Sequence, residues 1–232
     1  MLEELKEDVL EQNLRLVETN LVVLTWGNVS GYDEESKLVA IKPSGVSYSK
    51  MKAEDIVILD LEGNVVEGDL NPSSDTPTHL EIYKNFADKG VRGIVHTHSV
   101  EATAWAQAKR EIPCYGTTHA DQAYGPIPCS RVLTKEEVEE AYEKNTGKVI
   151  VECFKDKDPL AQPGILVAGH APFTWGKTAK AAVDNSIALE NIARMARLTE
   201  MISGEKKELE SYVADKHYFR KHGENAYYGQ DN

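Results

Sequence analysis

The stretch Gly93-Ile94-Val95-His96-Thr97-His98-Ser99 joins a short β-branched run to two histidines one residue apart. Ile94 and Val95 are stiff at χ1 and pack well on a pleated surface, so the run reads as a buried strand. Side chains on a strand alternate faces with period two. His96 and His98 therefore point the same way from the end of an apolar strand, where two imidazoles can hold one metal ion. Taken alone, the pair is more often two polar residues satisfied at a strand end, so the case for a metal rests on the remainder of the chain.

A chain of 232 residues, 41% hydrophobic and 28% charged, suits one large domain or two small ones. No internal repeat, low-complexity segment or Pro/Ser-rich linker divides it, and residues 1–232 read as a single domain. No apolar run approaches the ~20 residues of a membrane span. The acidic, amphipathic residues 1–20 do not resemble a secretory signal. A net charge of −12 disfavours nucleic acid and anionic membrane as partners. It leaves room for an anionic small substrate held by local backbone N–H groups or a placed lysine. Cys114, Cys129 and Cys153 are odd in number and lack Cys-x-x-Cys spacing, as expected of free thiols in a reducing cytoplasm.

Periodicity and turn chemistry predict an interleaved set of elements. Helices are expected over residues 2–19, from Thr76-Pro77 to about Asp88, near 100–109, from the capping box Thr134-x-x-Glu137, over 178–202, and over 205–221. Strands are expected over 21–29, closed by a turn at Ser30-Gly31, and over 38–41, 56–61, 93–96 and 164–168. Val65-Val66 is the return strand of a hairpin. Residues 149–154 fit either a helix or a strand, residues 113–129 hold short strands at most, and 223–232 are a tail. The early strands come in hairpin-like runs. A mixed, mostly antiparallel sheet covered by helices fits better than a doubly wound parallel one.

Several constellations carry chemistry. His170 ends another apolar strand and can supply a third imidazole beside His96 and His98. Asp75, just before a helix start, is a candidate fourth ligand or a base, or an anion placed there by the helix dipole. His79, one turn into that helix, reads as structural. Gly27-Asn28, Lys42-Pro43-Ser44-Gly45 and Ser73-Ser74 suit a phosphate, because Gly lets the backbone approach an anion and helix N-termini bind one readily. Asp121, in a polar cluster with Thr117 and His119, is a candidate general base. Tyr227-Tyr228, near the chain end, suggests an aromatic segment that docks onto something.

Together these segments resemble the L-ribulose-5-phosphate 4-epimerases of the class II sugar-phosphate aldolase/epimerase family. The matching stretches are Thr25-Trp26-Gly27-Asn28-Val29-Ser30, Lys42-Pro43-Ser44-Gly45-Val46, Ser73-Ser74-Asp75-Thr76-Pro77-Thr78-His79, His96-Thr97-His98-Ser99, Thr118-His119-Ala120-Asp121, His170 through Gly176, Asp215-Lys216-His217-Tyr218, Lys221-His222-Gly223 and Ala226 through Gln230. They run in order along essentially the whole chain. Ala171 and Thr174 stand where Gly and Ala are expected.

The resemblance implies a three-layer α/β/α fold and a homotetramer of fourfold symmetry with active sites at subunit interfaces. It implies Zn²⁺ held by Asp75, His96, His98 and His170, with Mn²⁺ or Co²⁺ also suited to those donors. Phosphate would lie among Gly27, Asn28, Lys42, Ser44, Gly45, Ser73 and Ser74. Asp121 and Tyr228 would be the acid/base pair, with Tyr228 and His217 reaching in from a neighbouring subunit, and Thr117 and Glu143 would line the pocket. The implied reaction interconverts L-ribulose 5-phosphate and D-xylulose 5-phosphate. The C4 proton of a 2-ketopentose is not acidic, so inversion there needs C3–C4 cleavage and re-addition, with a proton-transfer group on each face. The nearest alternative is a class II aldolase acting on a ketose phosphate, which would carry Glu at position 75.

Overall fold

The computed structural model describes residues 2–204, 207–222 and 226–228. Helix α1 (Glu3–Glu18) turns Val9 and Leu16 inward and leads through an irregular segment to β1 (Asn28–Asp33). Strands β2 (Leu38–Ile41), β3 (Val57–Asp60) and β4 (Val65–Glu67) follow, then α2 (Thr76–Phe86), β5 (Gly93–His96), α3 (Val100–Gln107) and the one-turn α4 (Thr117–Ala120). The chain continues as α5 (Lys135–Cys153), β6 (Gly164–Leu166), β7 (Pro172–Gly176), α6 (Ala179–Ser203) and α7 (Ser211–His222). No helix of the described residues is long and apolar enough to cross a membrane.

The seven strands form one sheet in the order β4-β3-β2-β1-β5-β7-β6. Every ladder between them is antiparallel, in line with the mostly antiparallel sheet expected. Among the described residues, parallel pairing is confined to an isolated bridge between Cys129 and Leu166. Ile94 packs on the face covered by α2 and α5, with Tyr83, Phe86, Phe154, Phe173 and Trp175. Val95 packs on the other, with Leu16 of α1 and Val183 of α6. Both faces of β5 are thus dry, and its alternate side chains feed two cores in a three-layer α/β/α arrangement.

Some expectations are corrected. Ser30 and Gly31 lie inside β1 rather than at a turn, and residues 21–27 are not a strand. Helix α1 crosses directly over Gly31, where a Cβ would sit 2.8 Å from Leu5 Cδ1, so this glycine serves close packing. Residues 149–154 continue α5 as a helix through Cys153, and β7 and α4 are elements that pattern reading missed. Asp75, not Thr76, takes the N-cap position of α2, with Pro77 in its first turn. The last helix begins at Ser211. The expected helix start at 205–206, and residues 223–225 and 229–232 of the tail, lie outside the described residues.

Candidate active site

The carboxyl end of β5 and the loops beside it enclose a cavity of about 530 Å³. It is lined by Gly27, Asn28, Lys42, Ser44, Gly45, Ser73 and Ser74, together with Asp75, His96 and His98, so all seven residues assigned to phosphate meet there. Thr25 and Trp26 complete the wall. Local structure explains the convergence. Gly27 has φ +83°, and a Cβ there would lie 2.9 Å from the His96 carbonyl, so only glycine lets this loop press against β5. Tyr48, which sequence reasoning passed over, donates its hydroxyl to the carbonyls of Trp26 (3.0 Å) and Gly27 (2.9 Å) and pins the loop from below. Asn13 on α1 accepts the Val29 N–H at 2.9 Å and donates to the Val29 carbonyl at 3.2 Å, tying α1 to the start of β1.

Lys42 is 2% exposed. Its ammonium donates to the Pro43 carbonyl at 3.2 Å and lies 5.1 Å over the Tyr48 ring. No carboxylate among the described residues lies within ion-pair distance of it. Burial pulls its pKa down, and the charge of Asp75 partly offsets this. A buried ammonium with no ion-pair partner among the described residues, facing a cavity rimmed by serines, has the chemistry to receive an anion.

His96, His98 and His170 bring one donor atom each to within 4.8 Å of one another. His96 Nε2 and His98 Nε2 are 3.2 Å apart. His96 Nδ1 lies 3.0 Å from the Pro172 carbonyl, which can only accept, so Nδ1 carries the proton and the Nε2 lone pair is free. Burial pushes the His96 pKa down to about 3, and His98 and His170 move the same way for the same reason. Three neutral imidazoles aimed at one point are a fit donor set for a divalent metal. Tyr142 Oη sits 3.4 Å from His170 Nδ1, another neighbour that sequence reasoning missed.

Asp75 faces this cluster but is not among the atoms mutually within 4.8 Å. Its N-cap position carries no capping hydrogen bond from the side chain. Its carboxylate accepts from Asn28 Nδ2 at 2.7 Å. Burial works to raise its pKa, yet His96, His79, the Asn28 bond and His170 outweigh it, and the carboxyl stays below its ordinary range. His79, expected to be structural, is fully buried, with Nδ1 2.7 Å from Ser30 Oγ.

Asp121, His217 and Tyr228 do not line this cavity. They gather elsewhere, where α7 docks on α4. Asp121 accepts from Arg220 Nε at 3.0 Å and Nη2 at 2.7 Å, and lies 3.1 Å from His217 Nδ1. Burial raises the Asp121 pKa, but the Arg220 and His217 bonds and the nearby Lys221 and Arg220 charges bring it below the ordinary value. Tyr228 packs on Arg220 and Lys221. Thr117 opens α4 and its carbonyl accepts the Asp121 N–H at 2.8 Å. The Glu143 carbonyl accepts from Thr78 Oγ1 at 2.6 Å.

An antiparallel sheet between two helical layers carries, at one strand end, a serine-rimmed cavity with a buried lysine and a three-histidine cluster suited to a metal. The chain belongs to the class II aldolase/adducin family, for the model of the Class II Aldolase and Adducin N-terminal domain matches residues 7–197. A solved L-fuculose 1-phosphate aldolase is 27% identical at a TM-score of 0.77, covering 92% of this chain and 94% of its own. The L-fuculose 1-phosphate aldolase from Glaciozyma antarctica is 20% identical (TM-score 0.74, 97% and 84% covered). That from Thermus thermophilus is 21% identical (TM-score 0.67, 88% and 98% covered). The latter two speak for the fold alone.

Proposed function

We propose that this protein is a metal-dependent sugar-phosphate epimerase that interconverts L-ribulose 5-phosphate and D-xylulose 5-phosphate by cleaving and re-forming the C3–C4 bond. The observation that carries the reading is the gathering of Asp121 and Tyr228 around Arg220. Inversion at C4 needs two proton-transfer groups, one per face, and this cluster holds two.

His96, His98 and His170, with Asp75 as the fourth ligand, would hold Zn²⁺, and Mn²⁺ or Co²⁺ suit the same donors. A metal bound there supplies Lewis-acid stabilisation of the negative charge that develops on the ketose oxygens. Lys42, Asn28, Ser44, Ser73, Ser74 and the backbone at Gly27 and Gly45 hold the phosphate. They retain the glycolaldehyde phosphate fragment while its carbonyl turns to the other face. Asp121 moves a proton at the C4 oxygen on one face and Tyr228 on the other. Because neither lines the cavity of its own chain, the reading includes a homotetramer of the single domain 1–232, acting in the cytoplasm. There Tyr228 and His217 of one subunit, as expected, reach the cavity of the next, and Asp121, bound to His217 and Arg220 of the same chain, goes with them, a change from the sequence reading.

A second reading, a ketose-phosphate aldolase, is favoured by the 27% identity to an L-fuculose 1-phosphate aldolase. Against it stands Asp75, one methylene shorter than the glutamate expected of an aldolase base and engaged by Asn28. Incubating the zinc-loaded protein with L-ribulose 5-phosphate and following products by NMR separates the two. D-Xylulose 5-phosphate without free fragments supports the epimerase. Accumulating free glycolaldehyde phosphate supports the aldolase, and an unchanged substrate with metal bound refutes both for this sugar.

A further inference from the structure

Arg220 touches both members of the proposed acid/base pair. Its Nε and Nη2 grip the two oxygens of Asp121 at 3.0 and 2.7 Å. Its guanidinium lies 5.0 Å from the centre of the Tyr228 ring. Its carbonyl accepts the N–H of Tyr228 at 3.1 Å. One residue therefore fixes the plane of a carboxylate through its side chain and the approach of a phenol through both side chain and main chain. A guanidinium fork sets orientation as well as distance, which a point charge cannot.

The other groups around Asp121 do less. Lys221 Nζ is 3.9 Å from it, and His217 meets one oxygen at 3.1 Å. His222 Nε2 donates to the Asp121 carbonyl rather than its carboxylate, and His119 on α4 bonds to the Gly125 carbonyl. Nor is Arg220 needed merely to hold α7 in place. Tyr124 donates to Asp215 at 2.9 Å, and its ring packs on Tyr218 and Phe219.

We infer that Arg220 is a positioning residue that sets the mutual orientation of the Asp121 carboxylate and the Tyr228 ring for proton transfer. This rests on the acid/base reading above.

The test is steady-state kinetics of the zinc-loaded full chain on L-ribulose 5-phosphate for Arg220→Met, Arg220→Lys, Asp121→Asn and the Asp121→Asn/Arg220→Met pair, with melting temperature and zinc content read in parallel. Misplacing a reacting group by an ångström costs about 10²-fold. Arg220→Met should therefore lose roughly ten- to a hundredfold in kcat with KM little changed, and its acidic pH limb should move to higher pH as Asp121 loses the fork. Arg220→Lys should stay impaired, because an ammonium cannot rebuild the fork; should Arg220→Met fail to fold, this variant decides alone. The double variant should lose clearly less than the product of the two single losses, since Arg220 acts in part through Asp121. Full activity with an unmoved pH limb in Arg220→Lys overturns the inference, as does a double variant whose losses multiply. An Asp121→Asn protein as active as wild type would instead remove the acid/base reading itself.

Discussion

Lys42 shows how a single side chain reports on a ligand. Burying it with no ion-pair partner among the described residues is costly, a cost that the proposed phosphate would offset. Replacing Lys42 by Met removes a charge-assisted bond of about 1.5–3 kcal/mol. At about 1.4 kcal/mol per tenfold, KM for the sugar phosphate should rise roughly ten- to a hundredfold. The melting temperature should not fall, and a lower one with unchanged KM would make Lys42 a structural residue. His98 is the most accessible of the three clustered histidines. His98→Asn should yield a folded protein that loses zinc on dialysis, and full metal occupancy by atomic absorption would remove His98 from the donor set. At this scale the sequence is most informative: residue types suited to metal and phosphate were legible without a fold. Tyr48 and Tyr142 were not, because a tyrosine that braces a loop or a ligand carries no spacing signal.

Elements were readable where local chemistry decides them. The Thr134 box forms as expected, with Glu137 N donating to Thr134 Oγ1 at 3.2 Å and Thr134 N to the Glu137 carboxylate at 2.8 Å. Thr134→Ala should cost about 1 kcal/mol in urea unfolding, and no loss would mean that packing alone holds the start of α5. Strand β1 was misplaced because Ser30-Gly31 has turn chemistry, yet its backbone pairs with β2 and β5 and is roofed by α1. Tertiary pairing outweighed propensity there. Gly31→Val should collide with Leu5 and Val9 and cost about 1–3 kcal/mol. A variant as stable as wild type would mean that α1 can lift away.

Across the whole molecule, buried neutral histidines tie stability to pH. Burial lowers the pKa of His79 to about 4 and of His119 to about 4, against 6.5 for a free imidazole. Below pH 6.5 the unfolded chain takes up protons that the folded chain refuses until about pH 4. The unfolded state is therefore favoured as pH falls through that window, and stability is regained as pH rises above it. At about 1.4 kcal/mol per pKa unit, His79 alone is worth roughly 3 kcal/mol. The urea midpoint of the metal-free protein should decline from pH 6.5 to 4, and a flat profile would refute the buried neutral state. The proposed assembly makes a second prediction at this scale. His98→Asn and Tyr228→Phe proteins, each inactive, should regain activity when their subunits are exchanged, because one keeps an intact cavity and the other an intact Tyr228. No recovery would place the whole site within one chain.

Residue chemistry and short-range pattern determined the inventory: strands of β-branched residues, capped helices, anion loops, and histidines at strand ends. These follow from forces acting over a few neighbours, which the order of residues records directly. Only the tertiary structure decided that Gly27, Lys42 and Ser73, scattered along the chain, share one cavity with His96. It likewise decided that β7 slots between β5 and β6 and that Asp121 and Tyr228 each meet Arg220 away from that cavity. Those outcomes depend on burying two faces of one antiparallel sheet at once, a condition on the whole chain that no window of sequence contains.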